Sequence, residues 1–177
     1  MKSTDLLIQD HKLILRALDV LDAMSASNET AAAADQTDIN KILDFLRWFA
    51  DAHHQAKEDT ILFPALKAAA VSQSRPVDHM MFEHAQERSF MEEMEKDLRL
   101  SKVSEFVNCA NRLSSVLRNH IYKEDRILFE TADAVLTPDE DNLLVERLMR
   151  FDTAFDRDLL AERLQGLRSL EWKYLRK

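Results

Sequence analysis

The chain has very few residues that bend or loosen a backbone: its 177 residues include one glycine, Gly166, and three prolines. Glycine supplies most of the positive-φ positions in tight β-hairpins and lets a backbone approach a bound phosphate closely. A single glycine cannot form a G-x-G-x-x-G or Walker-type loop, which excludes dinucleotide sites and P-loop nucleotide sites. Because 46% of the residues are hydrophobic and 32% are charged, the composition indicates one folded, all-α domain.

Cysteine pairs, excess positive charge and long apolar runs are also absent. The lone Cys109 cannot form an internal disulfide or a C-x-x-C metal site, and we expect an unreactive helix residue there. The formal net charge of −8 argues against a nucleic-acid partner, because binding to phosphates needs a basic surface. Neither a signal peptide nor a membrane-spanning stretch is found, so we expect a cytoplasmic protein with no membrane partner.

Hydrophobic periodicity predicts four long helices. With approximate bounds, they cover residues 3–24, 38–64, 77–100 and 102–135. Residues 25–37 are small and polar, which is typical of a connection, and the alanines in it can add a helical turn. No linker of disordered composition divides the chain, so we predict a single domain over residues 1–177.

The C-terminal part, about residues 138–177, is predicted to be helical as well. Thr137 begins a T-P-D-E sequence that combines an N-cap, a first-turn proline and a capping-box glutamate, which together favour a helix start. We expect a break in the helical pattern near Asp152 or Gly166. These helices are expected to pack on a bundle formed by residues 3–135, or on the second subunit of a homodimer.

One ten-residue motif occurs twice without a gap. The second predicted helix contains HQAKEDTILF from His54, and the fourth contains HIYKEDRILF from His120. Each copy is preceded, one helix earlier, by an acidic residue directly before a histidine: Asp10–His11 and Glu83–His84. The chain therefore consists of two similar helical hairpins, each with one histidine followed by an H-x-x-x-E helix.

The repeated residues form a candidate metal site. Residues four apart lie on the same face of an α-helix, so the histidine and glutamate of each motif can point inward together. A buried carboxylate needs a partner or a metal ion, and two carboxylates can bridge two ions within a four-helix bundle. The donor set suits iron, manganese or zinc. The six candidate ligands are His11, His54, Glu58, His84, His120 and Glu124.

A ferritin-like site is the alternative for a helical bundle, and the spacing argues against it. Such a site needs Glu-x-x-His on two helices. Met81 and Leu117 stand three residues before His84 and His120, where a ferritin-like site has glutamate.

Other residues near the motifs have less specific patterns. His53 has a lysine, not a carboxylate, four residues later, and His79 lies about 140° around the helix from His84, so we place both outside the ligand set. The sequence leaves open whether His53 or Glu87 assists the site. Phe63 and Phe129 are predicted to be apolar lids. Four charged residues of the motifs are expected to be solvated: Lys57, Asp59, Lys123 and Asp125.

These motifs resemble the hemerythrin-like, HHE cation-binding domain family over about residues 3–135. The strings that carry the resemblance are DHKLIL from Asp10, FADAHHQAKEDTILFP from Phe49, FEHAQER from Phe82 and NHIYKEDRILF from Asn119. The resemblance implies an up-down-up-down four-helix bundle around a non-haem centre of two iron ions, bridged by an oxide or hydroxide. It also implies that the six candidate residues are the ligands, with Glu58 and Glu124 bridging the ions.

One departure from the family bears on function. Oxygen-carrying hemerythrins have a histidine four residues after the third-helix ligand, where this chain has Arg88. Six protein residues and one bridge would leave about two of roughly twelve coordination positions for other ligands. We therefore expect a centre that binds or senses dioxygen, nitric oxide or peroxide rather than a reversible oxygen carrier. The alternatives are a di-iron enzyme or iron donor in oxidative or nitrosative stress and iron–sulfur repair, and a helical interaction module with a structural metal.

Overall fold

All regular elements among the described residues are helices. The structure, a computed structural model, describes residues 1–155 and 157–176, with the backbone alone at Val71. Within these described residues, nine α-helices follow one another: α1 (Ser3–Met24), α2 (Asn28–Ala33), α3 (Gln36–Phe45), α4 (Phe63–Ala69), α5 (Ser74–Arg99), α6 (Val103–Lys123), α7 (Phe129–Val135), α8 (Pro138–Ala154) and α9 (Arg157–Leu175). A 3₁₀ turn, Val71–Gln73, precedes α5.

Two of the four predicted long helices are not purely α-helical. The second bundle helix, residues 36–69, consists of α3, the π-helical segments Leu46–Gln55 and Glu58–Leu62, and α4. The fourth bundle helix, residues 103–135, consists of α6, the π-helical segment Glu124–Leu128, and α7. π-Helical turns are rare and frequently occur at functional sites. Both copies of the repeated motif contain one.

The four long helices form an up-down-up-down bundle, as predicted. α1 and α5 are its first and third helices, and short connections such as residues 100–102 make successive helices antiparallel. Pro64 stands in the first turn of α4, where a proline is tolerated, so the second bundle helix continues beyond it. The predicted connection contains the extra turn α2.

The C-terminal helices pack on the bundle of the same chain. The predicted capping box is present, because Thr137 Oγ1 accepts a hydrogen bond from the Glu140 backbone and Glu140 Oε2 accepts one from the Thr137 backbone. Of the two places where a break is expected, the structure has the one near Asp152, because α8 ends at Ala154, whereas Gly166 lies inside α9. None of the described helices is long and apolar enough to cross a membrane.

The apolar interior has two parts. A large core contains residues from Ile14 to Ile121 of the bundle together with Leu167 and Leu170 of α9. A small core contains Leu7 and the two motif phenylalanines together with residues of α8. Because α1 contributes Leu7 to the small core and Ile14 to the large one, the α1 residues between them lie at the level where the cores meet. His11 is one of those residues.

Candidate metal centre

The six predicted ligands converge on one buried point. Each is at most 2% exposed, although they come from four different helices. Their donor atoms form two overlapping groups, each with all donors within 4.8 Å of one another. We call these groups the first metal position (His11, His54, Glu58 and Glu124) and the second metal position (His84, His120, Glu58 and Glu124). Both glutamates belong to both positions.

The distances between donors match those around a shared ion. Glu124 Oε2 lies 3.2 Å from Nε2 of both His11 and His120. Glu58 Oε2 lies 3.4 Å from His54 Nε2 and 3.5 Å from His84 Nε2. With bonds of about 2.1 Å to one metal ion, adjacent ligand atoms are about 3.0 to 3.4 Å apart. Each glutamate therefore pairs with one histidine of each metal position.

Unpartnered polar atoms show that the pocket suits cations. The carboxylate oxygens of Glu58 and Glu124 and the Nε2 atoms of His11 and His54 are fully buried without hydrogen-bond partners in the described structure. An isolated buried carboxylate is costly, and a divalent cation between the glutamates would satisfy all these atoms. Imidazole and carboxylate are suitable ligands for iron, zinc or manganese. That these residues bind metal stays a prediction.

Each of the four imidazoles has a carboxylate on its other nitrogen. A carboxylate at Nδ1 fixes the ring orientation and the tautomer, and leaves Nε2 directed toward the metal positions. The four Nδ1 contacts are His11 to Asp125 at 2.7 Å, His84 to Asp59 at 2.9 Å, His120 to Glu83 at 2.9 Å and His54 to Asp10 at 3.3 Å. We call these four acids the carboxylate ring.

The carboxylate ring connects every bundle helix to the next. Asp10 joins the first helix to the second, and Asp59 joins the second to the third. Glu83 joins the third helix to the fourth, and Asp125 joins the fourth back to the first. Asp10 and Glu83 each support a histidine on a neighbouring helix rather than the histidine beside them in sequence. The ring therefore fixes the ligands and the packing of the bundle together.

The carboxylates and imidazoles in the centre stabilise one another's charged forms. Burial raises the pKa of Glu124, but His120 and His11 outweigh this effect and hold that pKa well below its usual range. Burial lowers the pKa of His11, whereas Asp125 and Glu124 raise it, with a net value of about 10. Burial is likewise outweighed by neighbouring carboxylates at His84, whose pKa rises to about 9. A cation that binds here must therefore displace protons.

The motif phenylalanines cover the histidines as predicted. The Phe129 ring stacks on His11 at 5.6 Å between centroids, and the Phe63 ring stacks on His84 at 5.7 Å. Both phenylalanines are buried. One apolar ring therefore shields one imidazole of each metal position from the solvent.

The prediction that the motif charges are solvated was wrong for Lys57, and the other three charged side chains are only partly exposed. Lys57 is only 1% exposed, and its ammonium group lies between Asp10 and Asp152. Lys123 is 23% exposed and donates to Glu83. Asp59 and Asp125 belong to the carboxylate ring. The sequence does contain a signal for these roles, because the K-E-D of each motif and the acid before each lone histidine are part of the repeat.

His53 and Glu87, which the sequence left open, stand beside the centre and belong to neither metal position. His53 is packed among aromatic rings, and its Nε2 lies 2.8 Å from an oxygen of Asp152 on α8. Glu87 is fully buried, and its Oε2 accepts a hydrogen bond of 2.5 Å from Gln55. Burial raises the pKa of Glu87 to about 7, although His120 and His84 oppose this effect.

The remaining candidates lie away from the metal positions. His79 is 58% exposed and contacts Glu83, in agreement with the prediction that it is a surface residue. The Arg88 guanidinium donates to Asp51 at 3.0 Å, so it does not replace the missing histidine. Cys109 is buried in α6, and burial raises the pKa of its thiol to about 12, as expected of an unreactive residue.

Comparison with models of protein families matches residues 2–132 to the hemerythrin HHE cation binding domain. The matched range contains all six predicted ligands and the carboxylate ring, and it ends before α8. A comparison with curated protein sequences finds no match.

Proposed function

The chain belongs to the hemerythrin HHE cation-binding family, and on that premise we propose that its buried centre holds two iron ions. The observation that supports two ions is the sharing of Glu58 and Glu124 between two groups of donors. Carboxylates in this arrangement can bridge a pair of ions, as they do in other metal-binding bundles. The family membership makes the protein a metal-binding bundle, and the choice of iron is our proposal.

Iron ions at both positions would bind a small molecule such as dioxygen, nitric oxide or peroxide and would transfer electrons to it. The chain itself has three tasks. Its four imidazoles present Nε2 to the ions, held in place by the carboxylate ring. Its two glutamates offset part of the charge of the ions. Phe63 and Phe129 keep bulk water from the imidazoles that they cover.

We further propose that the centre senses or reacts with its ligand rather than carrying oxygen reversibly. This proposal is supported by Arg88, which stands where the oxygen carriers have a further histidine and which is bound to Asp51. Four imidazoles instead of five would leave one more coordination position for an exogenous ligand. A second open position favours chemistry at the ions over simple release of the bound molecule.

Metal analysis of the full chain, purified without a tag or chelator, tests the proposal. We expect about two iron ions per chain, with a charge-transfer absorption band that changes on addition of peroxide. A stable, reversible oxygen adduct would contradict the sensing or reactive role. One zinc ion per chain, silent to peroxide and needed for thermal stability, would instead show a structural metal site.

A further inference from the structure

Helix α8 lies outside the residues matched to the family, yet it reaches the metal centre. Asp152, in its last turn, accepts a hydrogen bond of 2.9 Å from Lys57 Nζ and lies 2.8 Å from His53 Nε2. Leu144 and Leu148 of the same helix are buried in the small core. These contacts hold α8 at a defined position against the second bundle helix.

Lys57 connects Asp152 to the first metal position. Its Nζ lies 2.7 Å from Asp10 Oδ2, and the same Oδ2 atom contacts His54 Nδ1 at 3.3 Å. Lysine and imidazole therefore compete for one carboxylate oxygen. The contact from Asp10 to His54 is the longest of the four in the carboxylate ring, as expected when a cation draws the shared oxygen away.

The second metal position has no such competition. Lys123 donates to Oε1 of Glu83, whereas His120 Nδ1 contacts Oε2 of the same carboxylate at 2.9 Å. Lys123 is also partly exposed, so water can solvate its charge. Lys57 is buried, and Asp152 is the second carboxylate that shares its charge with Asp10.

We propose that Asp152 is a positioning residue for the first metal position: it takes up part of the charge of Lys57 and thereby leaves Asp10 able to orient His54. The inference rests on the proposed dinuclear site and adds α8 to it. Removal of the Asp152 carboxylate would let Lys57 bind Asp10 more closely, and the Nδ1 support of His54 would be lost. The second metal position would be unaffected.

Titration of the full chain with Co²⁺ tests this role. In Asp152→Asn we expect one of two binding steps to weaken about tenfold, the low end for loss of an outer-shell partner, with the other step unchanged. His54→Ala should abolish the step that Asp152→Asn weakens. Adding Lys57→Met to Asp152→Asn removes the competing cation and should restore the affinity. Glu146→Gln, an exposed residue of α8, is the control for loss of charge.

A proton NMR spectrum of the Co²⁺-loaded protein provides a second readout. Each imidazole with a protonated Nδ1 gives an exchangeable, paramagnetically shifted signal, and Asp152→Asn should change one of these four signals. If Asp152→Asn lowered the melting temperature but left both Co²⁺ binding steps unchanged, Asp152 would have a merely structural role. That result would overturn the inference. Equal weakening of both steps would also overturn it. If the wild-type chain does not bind two Co²⁺ ions, the proposed dinuclear site itself fails.

Discussion

The two metal positions have the same donors but different surroundings. Each has two imidazoles, two shared glutamates, two acids of the carboxylate ring and one stacked phenylalanine. The first position adjoins the buried Lys57, which contacts Asp152 of α8, whereas the second adjoins the partly exposed Lys123. The duplicated motif determines the ligands. The acids that support the histidines also belong to the repeat, whereas Asp152, which we propose makes the two positions unequal, lies outside it.

The buried Glu87 is a further difference. Its carboxyl interacts with His120 and His84, the imidazoles of the second position, and its hydrogen bond comes from Gln55. In the repeat, the residue of α1 that corresponds to Glu87 is the apolar Ile14. The second position therefore has an additional acid nearby that the first position lacks. Two chemically identical donor sets in unequal environments are expected to bind ions with unequal affinities.

The largest expected effect comes from a residue that both positions share. Glu124→Ala removes one carboxylate from both donor groups, so affinity for both ions should fall more than about a hundredfold, beyond the range for outer-shell changes. The metal content of the protein after equilibrium dialysis measures this loss of affinity. His79→Ala, at an exposed residue on α5, is the control and should retain the wild-type content. Equal loading of the two variants would contradict the assigned site.

The raised pKa of Glu87 leads us to expect that the stability of the protein depends on pH. Its pKa in the folded protein is about 7, above the ordinary value of 4.5, so the folded state retains a proton that the unfolded state releases. The contribution of Glu87 to the free energy of unfolding therefore decreases as the pH rises from about 4.5 to about 7. Over these two and a half pH units, the contribution of Glu87 to the free energy of unfolding falls by at most about 3 kcal/mol.

Glu87→Gln removes this titration. Relative to the wild type, the metal-free variant should gain up to about 3 kcal/mol of stability between pH 5 and pH 8. Urea unfolding at both pH values measures the difference, and comparing the variant with the wild type cancels the titration of groups that do not interact with Glu87. A stability difference that does not change with pH would show that Glu87 titrates normally.

The carboxylate ring allows each position to be weakened separately. Asp125→Asn replaces the partner of His11, and Asp59→Asn replaces the partner of His84. An amide oxygen is a weaker acceptor than a carboxylate, so each change should weaken one binding step about tenfold. Calorimetric titration with Zn²⁺ shows which step changes. If both variants weakened the same step, the division of the ligands between two positions would be wrong.

Much of this arrangement could be predicted from the sequence because the information is local and repeated. The first helix was predicted within a residue of its observed bounds, and the six predicted ligands converge because an i, i+4 pair keeps its face even where a π-helical turn intervenes. The π-helical turns themselves could not be predicted. Their i, i+5 hydrogen bonds depend on tertiary packing rather than on residue type.

Contacts between distant parts of the chain were the main source of error. Lys57 has the polar character of a surface residue, and Asp152, the partly exposed second acid that contacts it, lies 95 residues later on α8. Asp59 and Asp125 also resemble surface charges, because their histidine partners are on other helices. The repetition of the K-E-D residues was visible, but repetition alone does not distinguish a solvated charge from a partner of a metal ligand.

The smallest expected effect provides the sharpest test of the difference between the two lysines. Lys123→Met removes a partly exposed cation that contacts Oε1 of Glu83, while His120 contacts Oε2. Because the oxygen that supports His120 is not shared with Lys123, both Co²⁺ binding steps should stay within about twofold of wild type, well under the roughly tenfold cost of losing an outer-shell partner. A tenfold change in the second step would mean that Lys123 controls its carboxylate as closely as Lys57 does, and the asymmetry assigned to Asp152 would then be absent.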